Sequence, residues 1–345
     1  MPIVTDPDES AAIFKEVAEK NVAIPCYGTE NVDTTEVILR ATKEIGQELG
    51  VARPPIIIGF TSRYPFRKQL ENYTGLADAV EGFLAVRSDL ERLCRPDGPF
   101  ANIRVMVNLD HAHPGVDEDI IEMGKGLLSS VMYDCSDYPM DENIRMTSDA
   151  VKRLERYVLV EGCVDEIYGP EAGTGFDMTK PEDAARFLEQ TRVPLIVVNV
   201  GTEHRAAAGG HALYSGERAR AIRDRVGKCM VLHGASSLGD TRLDELPDDG
   251  FVKVNTWTMV ERVGGQAVVL DAFEHLDGIL YPHQVEELRD KGWLTAERAA
   301  QLAHATPSLD YFTHARRRNG AWVPVVLDLL KQSLRDFGYT RLAAT

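Results

Sequence analysis

The sequence predicts a closed (β/α)8 barrel, a TIM barrel, with additional C-terminal helices. Three observations carry this. Short apolar runs alternate with amphipathic helical stretches along most of the 345 residues, the pattern of a parallel sheet wrapped in helices. The runs are nearly continuous in apolar residues, as strands covered on both faces require. Eight such units follow one another with no linker between them, which favours closure over an open doubly wound sheet. The open sheet is the alternative, but no GxGxxG follows the first strand to support it.

The units run in order. NVAIP (21–25) precedes a helix over about Thr34–Leu49, and PPIIIGFT (54–61) precedes one over about Lys68–Leu93. NIRVMVNLD (102–110) leads to a short helix near Val116–Gly124, and SSVMYD (129–134) to a longer one near Glu142–Val160. GCVDEIYG (162–169) is followed by a Gly-rich loop and then Pro181–Gln190. VPLIVVNVG (193–201) precedes Gly216–Val226, and KCMVLHG (228–234) precedes a stretch through Leu246. FVKVN (251–255) precedes a helix into the 260s and 270s. Residues 1–280 therefore read as the barrel. Residues 281–345 read as a helical extension packed on the barrel or at a subunit contact, in keeping with a homo-oligomer, a dimer or larger.

Composition narrows the function. A formal charge of -16 leaves no basic field for nucleic acid. No apolar run is long enough to span a bilayer, and MPIVTDPDES is acidic, unlike a secretory signal. The five cysteines are scattered and form no CxxC pair. They read as reduced thiols of a cytoplasmic protein, most of them small core residues.

Chemistry in this fold gathers at the C-terminal ends of the strands. Strand three ends in Asp110 and His111, strand five carries Asp165 and Glu166, and His204 stands just beyond strand six. Strand seven ends at His233, and strand eight at Asn255 followed by Thr258. A lone histidine at a strand end is usually a hydrogen-bonded structural residue, and His113, His211, His275, His283, His304 and His314 are read so. His111, His204 and His233 would converge on one mouth. Three neutral imidazoles with an open fourth position make a catalytic zinc site; cobalt or iron fits nearly as well. HGASS (233–237) and VNTWT (254–258) lie where barrels build phosphate sites from backbone N–H groups, though both also suit ordinary turns. Gly234 allows close backbone approach, and Ser236 and Thr258 offer hydroxyls.

These residues resemble the class II, metal-dependent fructose-bisphosphate aldolases and their tagatose-bisphosphate relatives. NLDHAHPG is similar to the LDHG-type motif, SVMYDCSDYPMDENI to SVMIDGS…ENI, and VDEIYG to VEAELG. VNVGTEHR is similar to AIGTAHG, MVLHGASS to VLHGGSG, and VKVNTWT to the KINIDT-type motif. The resemblance implies a zinc ion on His111, His204 and His233, with Asp110 as the acid/base at the alcohol where the C–C bond breaks. It implies that Gly234, Ser236, Asn255 and Thr258 hold a dihydroxyacetone-phosphate-like half, and that zinc stabilises its enediolate. Glu171, in the loop GPEAGTGF, is the candidate for protonating the enediolate carbon.

The departures bear on the substrate. The second glutamate of the strand-five motif falls on Ile167, with Asp165 and Glu166 shifted or shortened, so that an accessory metal contact is lost or taken over by a neighbour. The glycine after the second zinc histidine is Arg205, which adds a cation to the phosphate pocket or removes a close approach. The aspartate of the NIDT motif is Trp257, and the FN near strand one is Tyr27–Gly28. A tryptophan there implies an altered or less polar aldehyde half. Arg316, Arg317 and Arg318 read as a solvated helix face. The reading is an aldolase acting on a sugar phosphate, a small-molecule partner, in a specialised pathway. Its alternatives are a non-catalytic sugar-phosphate-binding barrel and a related enediolate reaction such as epimerisation.

Overall fold

The computed structural model describes residues 2–166, 178–202, 214–238 and 240–343. Its eight strands are β1 (Ile24–Gly28), β2 (Pro55–Thr61), β3 (Arg104–Ala112), β4 (Ser130–Tyr133), β5 (Leu159–Cys163), β6 (Leu195–Val197), β7 (Met230–Leu232) and β8 (Phe251–Thr256). Each pairs in parallel with the next, and β8 returns to β1 through Cys26 opposite Asn255 and Tyr27 opposite Thr256. Nearly every strand residue is buried, which is why the strands read as unbroken apolar runs.

The helices show local reasons for their bounds. α1 (Pro7–Glu19) starts at the cap Asp6, with Pro7 in the first turn; the sequence reading passed over it. α2 (Val32–Leu49) opens on Asn31, whose side chain accepts from the Thr34 N–H at 2.8 Å, and closes on Gly50 in a left-handed conformation. The single helix expected over 68–93 is two, α3 (Gln69–Tyr73) and α4 (Ala79–Leu93). Thr74 is extended, and Asp78 caps a fresh start by accepting from Val80 and Glu81. Gly82 lets α4 lie against α3: a Cβ there would stand 1.8 Å from the Leu70 carbonyl oxygen.

α5 (Glu118–Met123) follows β3, and α6 (Met140–Leu154) follows β4. The helix expected to run through Val160 therefore ends earlier, and β5 begins and ends before the expected bounds of 162–169, overlapping them only at Gly162 and Cys163. The amphipathic period of α6 stops at Leu154, and the apolar run from Val158 belongs to the strand. Asp165 and Glu166 consequently follow the end of β5. α7 (Pro181–Thr191), α8 (Gly216–Val226), α9 (Leu246–Asp249) and α10 (Thr258–Glu274) complete the alternation.

The chain divides into two compact units, Met1–Thr258 with Leu330–Thr345, and Met259–Leu329. The first contains the barrel. Within it, the N-terminal segment bonds to the start of β3, Val4 N–H donating to the Val105 carbonyl at 2.8 Å. The second is helical, and its helices Pro282–Asp290 and Ala296–Gln301 carry a small core of Val285, Ala299, Leu302 and Ala305. Among the described residues no helix is long and apolar enough to cross a membrane.

Candidate active site

Asp110 and His111 are consecutive on β3, so a regular strand would send their side chains to opposite faces. The strand is not regular there. Its register with β4 shifts between Leu109 and Ala112, and His111 takes a left-handed φ of 49°. An irregularity of this kind re-aims a side chain, and a left-handed non-glycine residue costs about 1–3 kcal/mol that its surroundings must offset. The result is a buried cluster in which one ligand atom from each of Asp110, His111 and His233 lies within 4.8 Å of the others.

The surroundings that hold His111 are visible. Its Nδ1 meets Asp134 Oδ2 at 2.7 Å, and Tyr64 stacks on its ring with centroids 4.3 Å apart and planes 9° from parallel. His233 packs against it edge-on at 5.0 Å. Asp134 also accepts from the Ser136 N–H and hydroxyl. Burial alone would raise the Asp134 carboxyl, but the His111 and Ser136 bonds hold it well below the usual range. An ionised carboxylate on Nδ1 fixes the tautomer and leaves Nε2 as the metal-binding nitrogen.

His233 follows β7 and is fully buried, which pushes its pKa down to about 3 against the opposing pull of Asp110. It is a neutral imidazole, the form that ligates a metal. Its Nε2 lies 3.7 Å from Asp110 Oδ1. Burial would raise the Asp110 carboxyl too, yet the positive charge around it, Arg67 and Lys253 included, holds it well below the usual range. Arg67 is the nearest full charge, with Nη2 3.1 Å from Asp110 Oδ2. Two imidazoles and a carboxylate at this spacing, one imidazole carrying a carboxylate behind it, fit a divalent metal of the zinc type.

Below the cluster the barrel interior is polar. Lys253 on β8 meets Glu161 on β5 at 2.6 Å, both fully buried. Asn108 on β3 donates to Glu161 at 3.1 Å and to Ser130 at 2.7 Å. Burial works against the Lys253 ammonium, but Glu161 outweighs it and its pKa stands above the usual lysine value. Cys26 lies 3.7 Å from Asn108 Oδ1, and burial pushes its thiol up to about 12. It is a core residue, not a nucleophile.

The cleft above this floor brings together Asp110, His233, Gly234, Ser236, Asn255 and Thr258, all named from the sequence. It also contains Gly28, Arg67, Gln69 and Trp257. Several polar atoms there are buried without a hydrogen-bond partner: Arg67 Nε, Gln69 Nε2, both amide atoms of Asn255, Thr256 Oγ1 and Trp257 Nε1. Buried polar groups in proteins are as a rule satisfied, so this concentration marks a place for a polar ligand. His113 stands apart, its ring 5.9 Å from Tyr64 and its N–H donating to Asp117. Glu171, His204 and Arg205 lie outside the described residues.

The sequence reading missed Asp134, Arg67, Gln69 and the Lys253–Glu161 pair. A lysine inside the apolar run FVKVN was the available signal for the last. Arg67 sits in a loop with no periodicity to single it out.

Residues 8–310 match the sequence model of the class II fructose-bisphosphate aldolases. The D-tagatose-1,6-bisphosphate aldolase subunit GatY of Klebsiella oxytoca is 29% identical over 248 residues, 68% of this chain and 76% of that protein. The fructose-bisphosphate aldolase of Campylobacter jejuni shares the fold with a TM-score of 0.68 at 20% identity, over 97% of this chain and 95% of the other. The YdjI aldolase of Escherichia coli K12 does so with a TM-score of 0.57 at 20% identity, over 95% and 96%. A family match over most of the chain, on a closed barrel of the expected order, makes this protein a carbon–carbon lyase that belongs to the class II fructose-bisphosphate aldolase family.

Proposed function

We propose that the protein makes or cleaves the C3–C4 bond of a phosphorylated ketose, with dihydroxyacetone phosphate or a similar ketone as one half. The observation that carries this reading is the buried convergence of Asp110, His111 and His233 within 4.8 Å, beside a cleft containing Gly234, Ser236, Asn255 and Thr258. His111 and His233, with His204 as the third nitrogen ligand, would hold a divalent metal, zinc by preference. Such a metal supplies Lewis acidity to the ketone oxygens, an effect worth roughly several kcal/mol.

The chain's own residues do the rest. Asp110, held as a carboxylate, accepts the proton of the C4 hydroxyl; the C3–C4 bond breaks, its electron pair stays on the ketone half, and C4 leaves as an aldehyde. In condensation Asp110 returns that proton to the aldehyde oxygen. Gly234, Ser236 and Thr258 would hold the phosphate through N–H and hydroxyl donors, with Arg205 close in sequence to His204. Asn255, both of whose amide atoms are buried without a partner, would orient the ketone hydroxyls. Glu171 is the proposed group that protonates the ketone carbon, and Asp165 and Glu166 would stand behind the metal ligands.

The sequence supports a cytoplasmic homo-oligomer acting on a small sugar phosphate. The test is condensation of dihydroxyacetone phosphate with a panel of aldehydes by the metal-loaded protein. Stoichiometric metal and chelator-sensitive turnover support the reading; a protein that binds no divalent metal and gains no activity from zinc, cobalt or iron sinks it.

A further inference from the structure

Positions 28 and 257 are coupled. A Cβ added at Gly28 would stand 2.6 Å from Gln69 Nε2, 3.0 Å from Trp257 Cβ and 3.1 Å from its Cδ1. Trp257 and Gln69 thus occupy the volume that a side chain at 28 would fill. Over the indole lies the Arg67 guanidinium, its carbon 5.2 Å from the ring centroid, a cation–π contact. The same guanidinium touches Asp110 at 3.1 Å through Nη2, while its Nε is buried without a partner. Arg67 is accordingly a largely buried cation on an aromatic floor, with hydrogen-bonding capacity unused beside the reacting atoms.

We propose that the aldehyde half carries a carboxylate on the aldehyde carbon or on its neighbour, and that Arg67 reads it. This rests on the aldolase reading above, in which Asp110 meets the C4 hydroxyl. The Arg67 guanidinium, 3.1 Å from the Asp110 carboxylate, stands two hydrogen-bond lengths from the C4 oxygen that Asp110 meets, within reach of a carboxylate on C4 or on its neighbour. The phosphate of a triose phosphate would sit several bonds farther along the chain. A planar carboxylate also matches the fork of a guanidinium. Among the described residues of the cleft, Arg67 is the one lysine or arginine. The neighbouring Lys253 is engaged by Glu161 at 2.6 Å. In a chain of net charge -16, an anionic substrate depends on such a local cation. When Asp110 takes up the C4 proton during cleavage, Arg67 loses its carboxylate partner, and a carboxylate on the departing aldehyde replaces it.

The test uses the zinc-loaded protein with dihydroxyacetone phosphate and matched aldehydes. Glyoxylate is compared with glycolaldehyde, and tartronate semialdehyde with glyceraldehyde, pairs that differ by a carboxylate in place of a hydroxymethyl group. The expected result is a kcat/KM ratio of tenfold or more in favour of the acid. That ratio should fall at least tenfold in Arg67→Met and recover in part in Arg67→Lys. A ratio is used because any loss through Asp110 affects both members of a pair equally. A ratio near one in the wild type, or one unchanged by Arg67→Met, overturns the proposal. So does an Arg67-dependent preference for glyceraldehyde 3-phosphate over both acids. Deuterium exchange into dihydroxyacetone phosphate without any aldehyde separates the two levels. Exchange without acid preference removes the carboxylate and leaves the aldolase reading standing; absence of exchange removes both.

Discussion

The carboxylate of Asp134, at the end of β4, accepts from Nδ1 of His111 on the neighbouring strand at 2.7 Å. The bond joins two buried side chains and sets which nitrogen of His111 faces Asp110 and His233. Asp134→Asn, which exchanges a charged acceptor for an amide, should weaken metal binding roughly 10–100-fold with the fold intact. Competition with a chromophoric chelator measures this. Wild-type affinity would mean that Tyr64 stacking and the strand irregularity orient the ring unaided.

Asp110→Asn should separate two proton transfers. Cleavage and condensation should fall about 10²–10⁴-fold, the usual worth of a positioned acid/base, with metal content unchanged. Deuterium exchange into dihydroxyacetone phosphate should continue, because that proton belongs to carbon and not to the C4 oxygen. Loss of exchange together with cleavage would assign Asp110 to the carbon as well.

The Lys253–Glu161 pair should behave as a buried ion pair whose halves are worse alone than absent together. Lys253→Met strands a buried carboxylate and should cost about 3–5 kcal/mol in urea unfolding, whereas Lys253→Met with Glu161→Leu should cost much less. The pH dependence has a definite sign. The folded lysine holds its proton more tightly than an unfolded one. Its contribution is therefore complete below about pH 10.4 and fades as the pH rises further. The doubly substituted protein should lack that alkaline decline.

Gly28→Ala should destabilise by about 1–3 kcal/mol through overpacking against Gln69 and Trp257. Trp257→Ala, which removes Cδ1 but keeps Cβ, should relieve part of it, so the two changes together should cost less than the sum of each alone. Strict additivity in urea melts would mean that Gln69, not Trp257, takes up the strain.

Gly82→Ala should be the more damaging glycine substitution, above about 3 kcal/mol, since its Cβ would meet backbone oxygen at 1.8 Å with no side chain to yield. It should also weaken discrimination between acidic and neutral aldehydes, because α3, which it pushes on, begins at Gln69 just after Arg67. Normal discrimination in a folded Gly82→Ala protein would disconnect the two.

The barrel was legible because continuous apolar runs and helical periods are both short-range signals. Asp110, His111 and His233 were legible for the opposite reason, as polar residues at places where apolar strands end. What escaped depended on pairing across the barrel. Lys253 announces itself as a charge in an apolar run, but its partner Glu161 falls between the helix expected through Val160 and the strand expected from Gly162. With β5 at Leu159–Cys163, Glu161 lies on the strand itself, and Asp165 and Glu166 lie beyond its end. Arg67 and Gln69 gain meaning only from Trp257, which is nearly two hundred positions away in the chain.

The strand that ends at Thr256 closes the barrel against β1, and Gly28 and Trp257 stand one step beyond that seam. The recognition end of the cleft therefore needs the first and last strands of the barrel, joined by the longest loop closure the barrel makes, to set Trp257 beside Arg67 from the loop after β2. Any folding intermediate with the barrel still open can hold Asp110 and His111 on their strand, yet cannot present indole and guanidinium together. A change in Trp257 fluorescence during refolding, read with Trp293 and Trp322 replaced, should thus mark the moment of closure, and a chain that never closes should never recognise its aldehyde.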